Sequence, residues 1–534
     1  MSEIENNLYT NGIPEWFAGK NILISGSTGF MGKVLVEKLL RDCPDLKQLY
    51  LLIRSKRGVD PEKRRDDYFK CEVFQRLLEN NNNSKIFNKI KLIKGDILET
   101  ELGLDELDHN ELIENVDIVI HCAANVRFDQ PLKQIIEMNL GGTEKMLKLA
   151  EKIRNLKVFT HVSTSYSHCK EDVLEEREYE IDHDPLEILE MCRSLDNDVL
   201  NRMTPGLLDG LPNTYAFSKA VTEALICRYA KRLPIVVCRP SIVVAALKEP
   251  MPGWVEGVNG PTGLMVGGAR GVIRTMLCNP DYPATSIPVD TAINGIIAAT
   301  WDRGQIKVDE AEFYNLVVSN KYCITWGESI ECGRRILNEF PLSFAIWYPA
   351  GNITQNRFIH NLKVMLFHYL PAFFIDFILR CLFLKPFLVN IQRKISMGLE
   401  MLQYYTMKTW VFKNERLEKL QLKLNSRDQE KFECFLDQVC WENFIRSYML
   451  GIRRYILKEP MDNIPKCKKI HRALYALHII AQIAFYILLF WLLWNNIDRL
   501  CNTIFGFNIS SIKFYGKQQR MIKEGGGGGG FSSI

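Results

Sequence analysis

The chain has 534 residues, 47% of them hydrophobic and 24% charged, with a formal net charge of +4. These proportions are globular and exclude a disordered or fibrous chain, and the length predicts two to four units at roughly 100–200 residues each. So small a charge gives no support for a nucleic-acid partner, which calls for a concentrated basic face.

The first 16 residues, MSEIENNLYTNGIPEW, are acidic and polar, with no basic stretch leading into an apolar one, so no secretory signal is visible. The 15 cysteines are scattered and form no C-x-x-C pair. They read as small buried thiols in a reducing compartment, and no metal site is expected.

Short apolar runs then alternate with helical patterns. Residues 21–25 (NILIS), 49–53 (LYLLI), 90–93 (IKLI), 117–120 (DIVI), 158–162 (VFTHV) and 235–238 (IVVC) read as strands, with a helix over 31–40. Strands with little polar alternation, separated by helices, predict a doubly wound parallel sheet of α/β class, covered on both faces. Residues 244–271 are rich in Gly and Pro and read as an irregular segment over the active site, with Trp254, Leu264 and Met265 lining an apolar site.

The texture changes near Asn356. Residues 358–389 are apolar and aromatic but interrupted by Pro371, Asp376, Arg380 and Lys385, which favours an interfacial or buried helix pair over a membrane span. Residues 416–455 return to a soluble helical pattern. Residues 473–494 (ALYALHIIAQIAFYILLFWLLW) carry no formal charge and read as a transmembrane helix, with Trp491 and Trp494 at an interface. Lys466, Lys468, Lys469, His471 and Arg472 precede it, which places that side, and the catalytic domain with it, in the cytosol. The expected domains are 13–355, a dinucleotide-binding domain with a substrate lobe; 356–460, a smaller α-helical domain; the span at 473–494; and a flexible tail, 498–534, ending in six glycines. Asn508 opens a glycosylation sequon in that tail, as do Asn82 and Asn352 upstream.

Four places carry chemistry. Gly26, Gly29 and Gly32, with Ser27, Thr28 and Phe30 between them, form a turn straight after the first strand and at the start of a helix. Glycine there lets the backbone approach a pyrophosphate, and the helix N-terminus presents free N–H groups to it. The second strand ends in Arg54, followed by Lys56 and Arg57, where an NAD-preferring site carries an acid. A guanidinium suits a 2′-phosphate, so NADPH is expected, the alternative being a solvated basic loop. Asp96 and Ile97 follow the third strand, and Ala123, Ala124 and Asn125 follow the fourth, both at strand ends where such sheets bind ligands; turn chemistry alone accounts equally well for a Gly-Asp pair. Tyr215 and Lys219 lie four apart on one helix face, with the ammonium expected to favour phenolate. Tyr215 is the candidate proton donor and Lys219 the candidate anchor of the nicotinamide ribose. Ser163 and Thr164 end the strand before them, and of these Thr164 is favoured to hold the substrate oxygen.

Together SGSTGFMGK (25–33), HCAANVRFD (121–129), HVSTSYSHC (161–169), YAFSK (215–219), CRPSIV (238–243) and GWVEGVNGPTGL (253–264) resemble the extended short-chain dehydrogenases. More narrowly they resemble the alcohol-forming fatty acyl-CoA reductases of insect type, and the region after Asn356 resembles that family's C-terminal male-sterility domain. The resemblance implies a Rossmann fold, NADPH, a long-chain fatty acyl-CoA substrate and a primary alcohol product; the span at 473–494 gives attachment to a lipid bilayer, of the endoplasmic reticulum or the peroxisome, between which the sequence does not choose. The resemblance also implies that Pro240, Ser241 and Ile242 lie near the nicotinamide, and that the long acidic segment between Thr164 and Tyr215 is a substrate-side elaboration. A membrane-bound sterol dehydrogenase and a non-catalytic nucleotide-binding scaffold remain as alternatives. Chain-length preference and oligomeric state stay open.

Overall fold

The computed structural model describes residues 12–54, 66–79, 87–306, 308–319 and 321–495. Seven strands form one parallel sheet: β1 (Asn21–Ser25), β2 (Gln48–Ile53), β3 (Ile90–Lys94), β4 (Ile118–His121), β5 (Val158–Val162), β6 (Ile235–Pro240) and β7 (Glu312–Leu316). Their spatial order is 3-2-1-4-5-6-7. Beginning at β1 the chain winds outward one way through β2 and β3, then returns to build β4 to β7 on the other side. The reversal leaves a crevice at the carboxyl ends of β1 and β4, where open α/β sheets bind ligands.

All six strands read from the sequence are present. The seventh, EFYNL, escaped because its Glu and Asn break the apolar run. Asn315 is nonetheless buried, its side-chain amide donating to the carbonyls of Leu174 and Lys413 (3.1 and 2.8 Å). The helix Val289–Arg303, buried at every residue, covers the sheet on one face and therefore shows no amphipathic signature.

Residues 244–271 are more regular than expected. Gly260 turns the chain with φ +52°, and Pro261 then opens a helix, Pro261–Ala269, at a position where its missing N–H costs nothing. Trp254 is buried and stacks on Phe30 at 5.3 Å, which pins this segment to the phosphate turn. The segment between Thr164 and Tyr215 forms a short strand, Val173–Leu174, and two helices, Pro185–Ser194 and Asn197–Leu207.

The helical region after Asn356 is built into the sheet lobe. Leu417, Leu420 and Phe432 belong to the same buried cluster as Ile22, Ile24 and Leu51. Val411–Phe412 pairs in parallel with Val173–Leu174. Residues 1–467 accordingly form one compact unit, with a second from Lys468 onward.

Within the first unit, the α-helices Arg357–Val364 and Leu370–Cys381 are joined by a π turn, and Leu388–Met407 follows. The carboxylate of Asp376, an unfavourable group for a lipid-crossing helix, accepts from the backbone N–H groups of Phe387, Leu388 and Val389 at 2.9–3.0 Å. Phe358, Phe373, Phe374, Phe377 and Phe383 project from this region exposed. The stretches Arg357–Cys381 and Met461–Trp494 are both long and apolar enough to cross a membrane. The helix Ile464–Asn495 carries the predicted span, its apolar side chains exposed from Ile480 to Trp494. The hexaglycine run and the Asn508 and Asn82 sequons lie outside the described residues.

Candidate active site

The phosphate turn follows from backbone sterics. Gly26 has φ +74°, and a Cβ there would lie 2.7 Å from the Ala123 nitrogen. A Cβ on Gly32 would lie 2.2 Å from the Gly26 carbonyl oxygen. Both positions admit glycine alone, and Gly26 brings the β1 turn against Cys122 and Ala123. Phe30 opens the helix Phe30–Asp42, with Gly29 as its extended N-cap, so Thr28 and Gly29 sit at a free helix N-terminus. Beneath the turn, Tyr68 donates to the Ser27 carbonyl at 3.0 Å.

Arg54 is exposed, two residues past the Ser25–Leu52 register pair, and so stands beside this turn. Lys56 and Arg57 fall outside the described residues. Asp96 closes its own turn, its Oδ1 accepting from the Leu98 N–H at 3.1 Å, while Ile97 is buried against Gly142. The turn chemistry anticipated for Asp96 is therefore present.

The catalytic candidates converge at the ends of β5 and β6. The helix Thr214–Tyr229 is capped by Asn213, whose Oδ1 accepts from the Ala216 N–H at 2.9 Å. Tyr215 leaves its first turn and hydrogen-bonds with Thr164, and Phe128 stacks on its ring at 5.6 Å. Burial around the hydroxyl pushes the phenol up to about 12, and the Thr164 bond offsets part of that rise. The expected depression of the phenol by Lys219 is not what the structure shows. Lys219 turns its ammonium to the Val162 carbonyl at 2.7 Å, and burial holds it down at about 8, with the Glu223 carboxylate opposing. The outcome is a neutral phenol, which is the form a proton donor requires.

Ser163 and Thr164 differ in kind. Thr164 bonds the phenol, whereas the Ser163 hydroxyl is buried without a hydrogen-bond partner. The hydroxyls of Ser27 and Ser241 are orphaned in the same way. Ser241 follows Pro240 at the end of β6, and Ile242 continues into a short strand. Buried hydroxyls without partners are costly, so orphans at the ends of β1, β5 and β6 mark surface shaped for a polar ligand. Together with the glycine cradle, they fit a dinucleotide lying across the sheet. Among the described residues no group of three His, Cys, Asp or Glu could hold a metal.

Three groups of functional residues were missed in the sequence. Asn139 sits in a π turn, Glu137–Gly141, inserted into a helix. Its amide donates to the Asn125 carbonyl (3.0 Å) and the Ser218 hydroxyl (2.9 Å), and its oxygen accepts from the Asn125 N–H (2.7 Å). It thus braces the β4 loop against the helix of Tyr215. A buried Asn among Ile135, Ile136 and Leu140 was the available signal. Glu223, one turn past Lys219, accepts from Arg239 at 2.7 and 3.1 Å, from Ser167 at 3.1 Å and from His168 at 3.0 Å. Arg239 holds its carboxyl far below the usual range. Tyr405 comes from the helical region 190 residues downstream of Tyr215 in sequence. Its hydroxyl accepts from the Asn213 side chain at 3.0 Å, and its ring lies 5.6 Å from Phe128.

Below these residues, His121 is buried between Ser25 and Thr143 (2.6 and 3.0 Å). Thr143 gives its own proton to the Asn139 carbonyl, so His121 Nε2–H donates to Thr143 and its Nδ1 accepts from Ser25. Burial holds this imidazole down at about 3, neutral at any physiological pH.

Two family models match, both described as male sterility protein: an NAD-binding model over residues 24–296 and a second over 367–459. Among solved structures, the terminal R domain of the myxalamid PKS-NRPS pathway is similar at a TM-score of 0.56 and 20% identity, over 83% of this chain and 93% of that one. A nonribosomal peptide synthetase reductase domain from Mycobacterium tuberculosis reaches 0.55 at 19% identity, over 85% and 96%. At such identities these neighbours establish the fold. Sequence relatives go further. Fatty acyl-CoA reductase 1 of Xenopus laevis is 35% identical over 86% of this chain and 88% of its own length. Fatty acyl-CoA reductase wat of Drosophila melanogaster is 35% identical over 90% and 92%. With the nicotinamide-dinucleotide fold, the Tyr–Lys helix and both male-sterility regions present in one chain, this protein belongs to the fatty acyl-CoA reductase family.

Proposed function

We propose that the protein reduces long-chain fatty acyl-CoA to the primary alcohol at the ends of β5 and β6, with NADPH as the reductant. The observation that carries this reading is the neutral Tyr215 phenol bonded to Thr164, with Lys219 one turn on and orphaned serines alongside. Gly26, Ser27, Thr28, Gly29 and Phe30 would hold the pyrophosphate, Asp96 and Ile97 the adenosine end, and Ala123, Ala124 and Asn125 the middle. Lys219, Pro240, Ser241 and Ile242 would hold the nicotinamide end. When bound, the reduced nicotinamide supplies hydride.

Reduction of the thioester to an aldehyde consumes one hydride and one proton and expels CoA as its thiol. Reduction of the aldehyde consumes a second hydride and a second proton. In each, Thr164 hydrogen-bonds the carbonyl oxygen and Tyr215 gives it a proton; in the first, that proton passes from the resulting hemithioacetal hydroxyl to sulfur as the C–S bond breaks, leaving the aldehyde and the thiol. A phenol kept neutral by burial is suited to this direction of reaction. Lys219 adds positive charge beneath the site while it stays protonated. Asn139 and Glu223 hold the two sides of the site in register.

Arg54 supports NADPH over NADH, since a guanidinium beside the turn pairs with a 2′-phosphate. The apolar helix Ile464–Asn495 supports a single membrane anchor, and the basic residues that precede its apolar stretch support a cytosolic catalytic unit. Acyl chains and fatty alcohols partition into lipid, which gives such an anchor a purpose.

The test is a product assay on the full-length protein with palmitoyl-CoA. NADPH is expected to support thiol release and hexadecanol formation, with NADH at least about tenfold poorer, as the loss of charge-assisted bonds implies. Equal rates with both would remove Arg54 from cofactor selection. Absence of thiol and alcohol with either would favour a sterol dehydrogenase or a non-catalytic scaffold.

A further inference from the structure

A cavity of about 210 Å³ lies away from the phosphate turn, bounded by three helices: Pro261–Ala269, Trp326–Glu339 and Trp441–Gly451. Its walls are apolar, among them Leu264, Met265, Ile330, Leu337, Phe444 and Met449. The polar pair at its edge, Thr262 and Tyr448, is satisfied internally by a 2.6 Å hydrogen bond. Arg334 spends its guanidinium on Glu331 and on the Gly351 carbonyl. The chemistry presented to a ligand is therefore mainly hydrocarbon, with Thr275, Ser286, Ser329 and Asn352 among the lining residues and the indole N–H of Trp326 without a partner.

Two further observations give the cavity a direction and a cause. Its wall includes Val244 and Ser286. Val244 ends the short strand that leaves Ser241 through Ile242, and Ser286 pairs in register with Ile242. The cavity thus begins where the strand carrying the nicotinamide-side residues ends. The cause is glycine. Gly268 and Gly333 line the cavity from two of the helices, and a Cβ built at either meets no atom within 4 Å. Glycine inside a helix is unfavourable relative to alanine, and an empty apolar void lowers stability further. At these two positions the backbone takes both penalties and the result is open space.

We propose that this cavity is the acyl-chain site, receiving the hydrocarbon tail of the substrate while its carbonyl lies at Thr164 and Tyr215. The inference rests on the reductase reading and deepens it. It also assigns a role to the C-terminal helical region, whose helix Trp441–Gly451 forms a wall of the site. Gly268 and Gly333 then set how much tail is accommodated.

The experiment uses the full-length protein in detergent micelles, as wild type and as Gly268→Leu and Gly333→Leu, which fill the open space. Gly268→Ala and Gly333→Ala serve as folding controls, because a methyl fits there and favours the helix. Two readouts are taken: kcat/KM for palmitoyl-CoA against octanoyl-CoA, and equilibrium binding of a pyrene-labelled long-chain fatty acid. The leucine variants are expected to lose about tenfold or more on palmitoyl-CoA and on probe binding while octanoyl-CoA is spared, in line with the discrimination a filled apolar pocket gives. The alanine variants should unfold at a temperature no lower than wild type, since alanine favours the helix, and show the same shift in length preference to a smaller degree. Parallel loss on both substrates, or an unchanged length profile with unchanged probe binding, would overturn the proposal. Binding requires no turnover. If wild type made no alcohol yet bound the probe in a Gly268- and Gly333-dependent way, the reductase reading would fail and the apolar site would stand.

Discussion

The crevice at the sheet ends and the helical region after Asn356 reach one active site by different means. In the crevice each function rests on a short run of residues: a glycine turn, a Tyr–Lys pair, a Ser–Thr strand end. Downstream, single side chains act at a distance, as when Tyr405 fastens Asn213, the cap of the helix that carries Tyr215 and Lys219. Backbone constraint writes itself into local sequence, because only glycine tolerates the contacts at Gly26 and Gly32. Packing constraint does not, because many apolar residues could fill a given place.

The sharpest way to break this comparison is at the crevice. Tyr215→Phe keeps the ring that Phe128 stacks on and removes the proton donor, so kcat is expected to fall by ~10²–10⁴-fold with little change in cofactor binding. Unchanged turnover would move catalysis elsewhere.

Glu223→Gln tests the layer beneath. With Lys219 held at about 8, its positive charge is present below that pH and lost above it, so kcat/KM should decline as pH rises through about 8. The Glu223 carboxylate raises the Lys219 value, so removing its charge should move the decline to lower pH. The same change leaves Arg239 buried without its carboxylate, at a cost of about 3–5 kcal/mol in stability. Thermal unfolding measures the second effect and a pH–rate profile the first; a decline that stays in place would separate Lys219 from the rate.

Tyr405→Phe is the mildest test, because it deletes one hydrogen bond between the two regions. About 1 kcal/mol of stability and a small drop in kcat are expected, read by denaturant unfolding and steady-state kinetics. A loss as large as that of Tyr215→Phe would mean that Tyr405 touches the reacting atoms.

How much was legible follows the same division. The doubly wound sheet could be read because six of its strands are continuous apolar runs, and EFYNL was hidden by an Asn whose amide is spent on Leu174 and Lys413. The Tyr–Lys spacing predicted a shared helix face, and both residues lie on the helix Thr214–Tyr229. The electrostatics of the pair were misjudged, since an ammonium four residues away had been expected to lower the phenol, and side-chain direction decided otherwise. Asn139 and Glu223 look unremarkable in sequence because their partners lie on distant segments. Trp254 was read as lining an apolar site, and the structure has it buried and stacked on Phe30. The boundary expected near Asn356 follows a change in composition, whereas the chain carries its hydrophobic core straight across it.

The central claim is that a nicotinamide and a thioester meet at Tyr215. It is tested most directly by running the reaction with NADPH deuterated at the transferable position and long-chain acyl-CoA, then locating the label by mass spectrometry. The account predicts two deuterons on the carbinol carbon of the alcohol, one from each reduction, and ~10²–10⁴-fold slower formation of that product when Tyr215→Phe replaces the wild type under the same conditions. Alcohol without label, or labelled product undiminished in the variant, would contradict it.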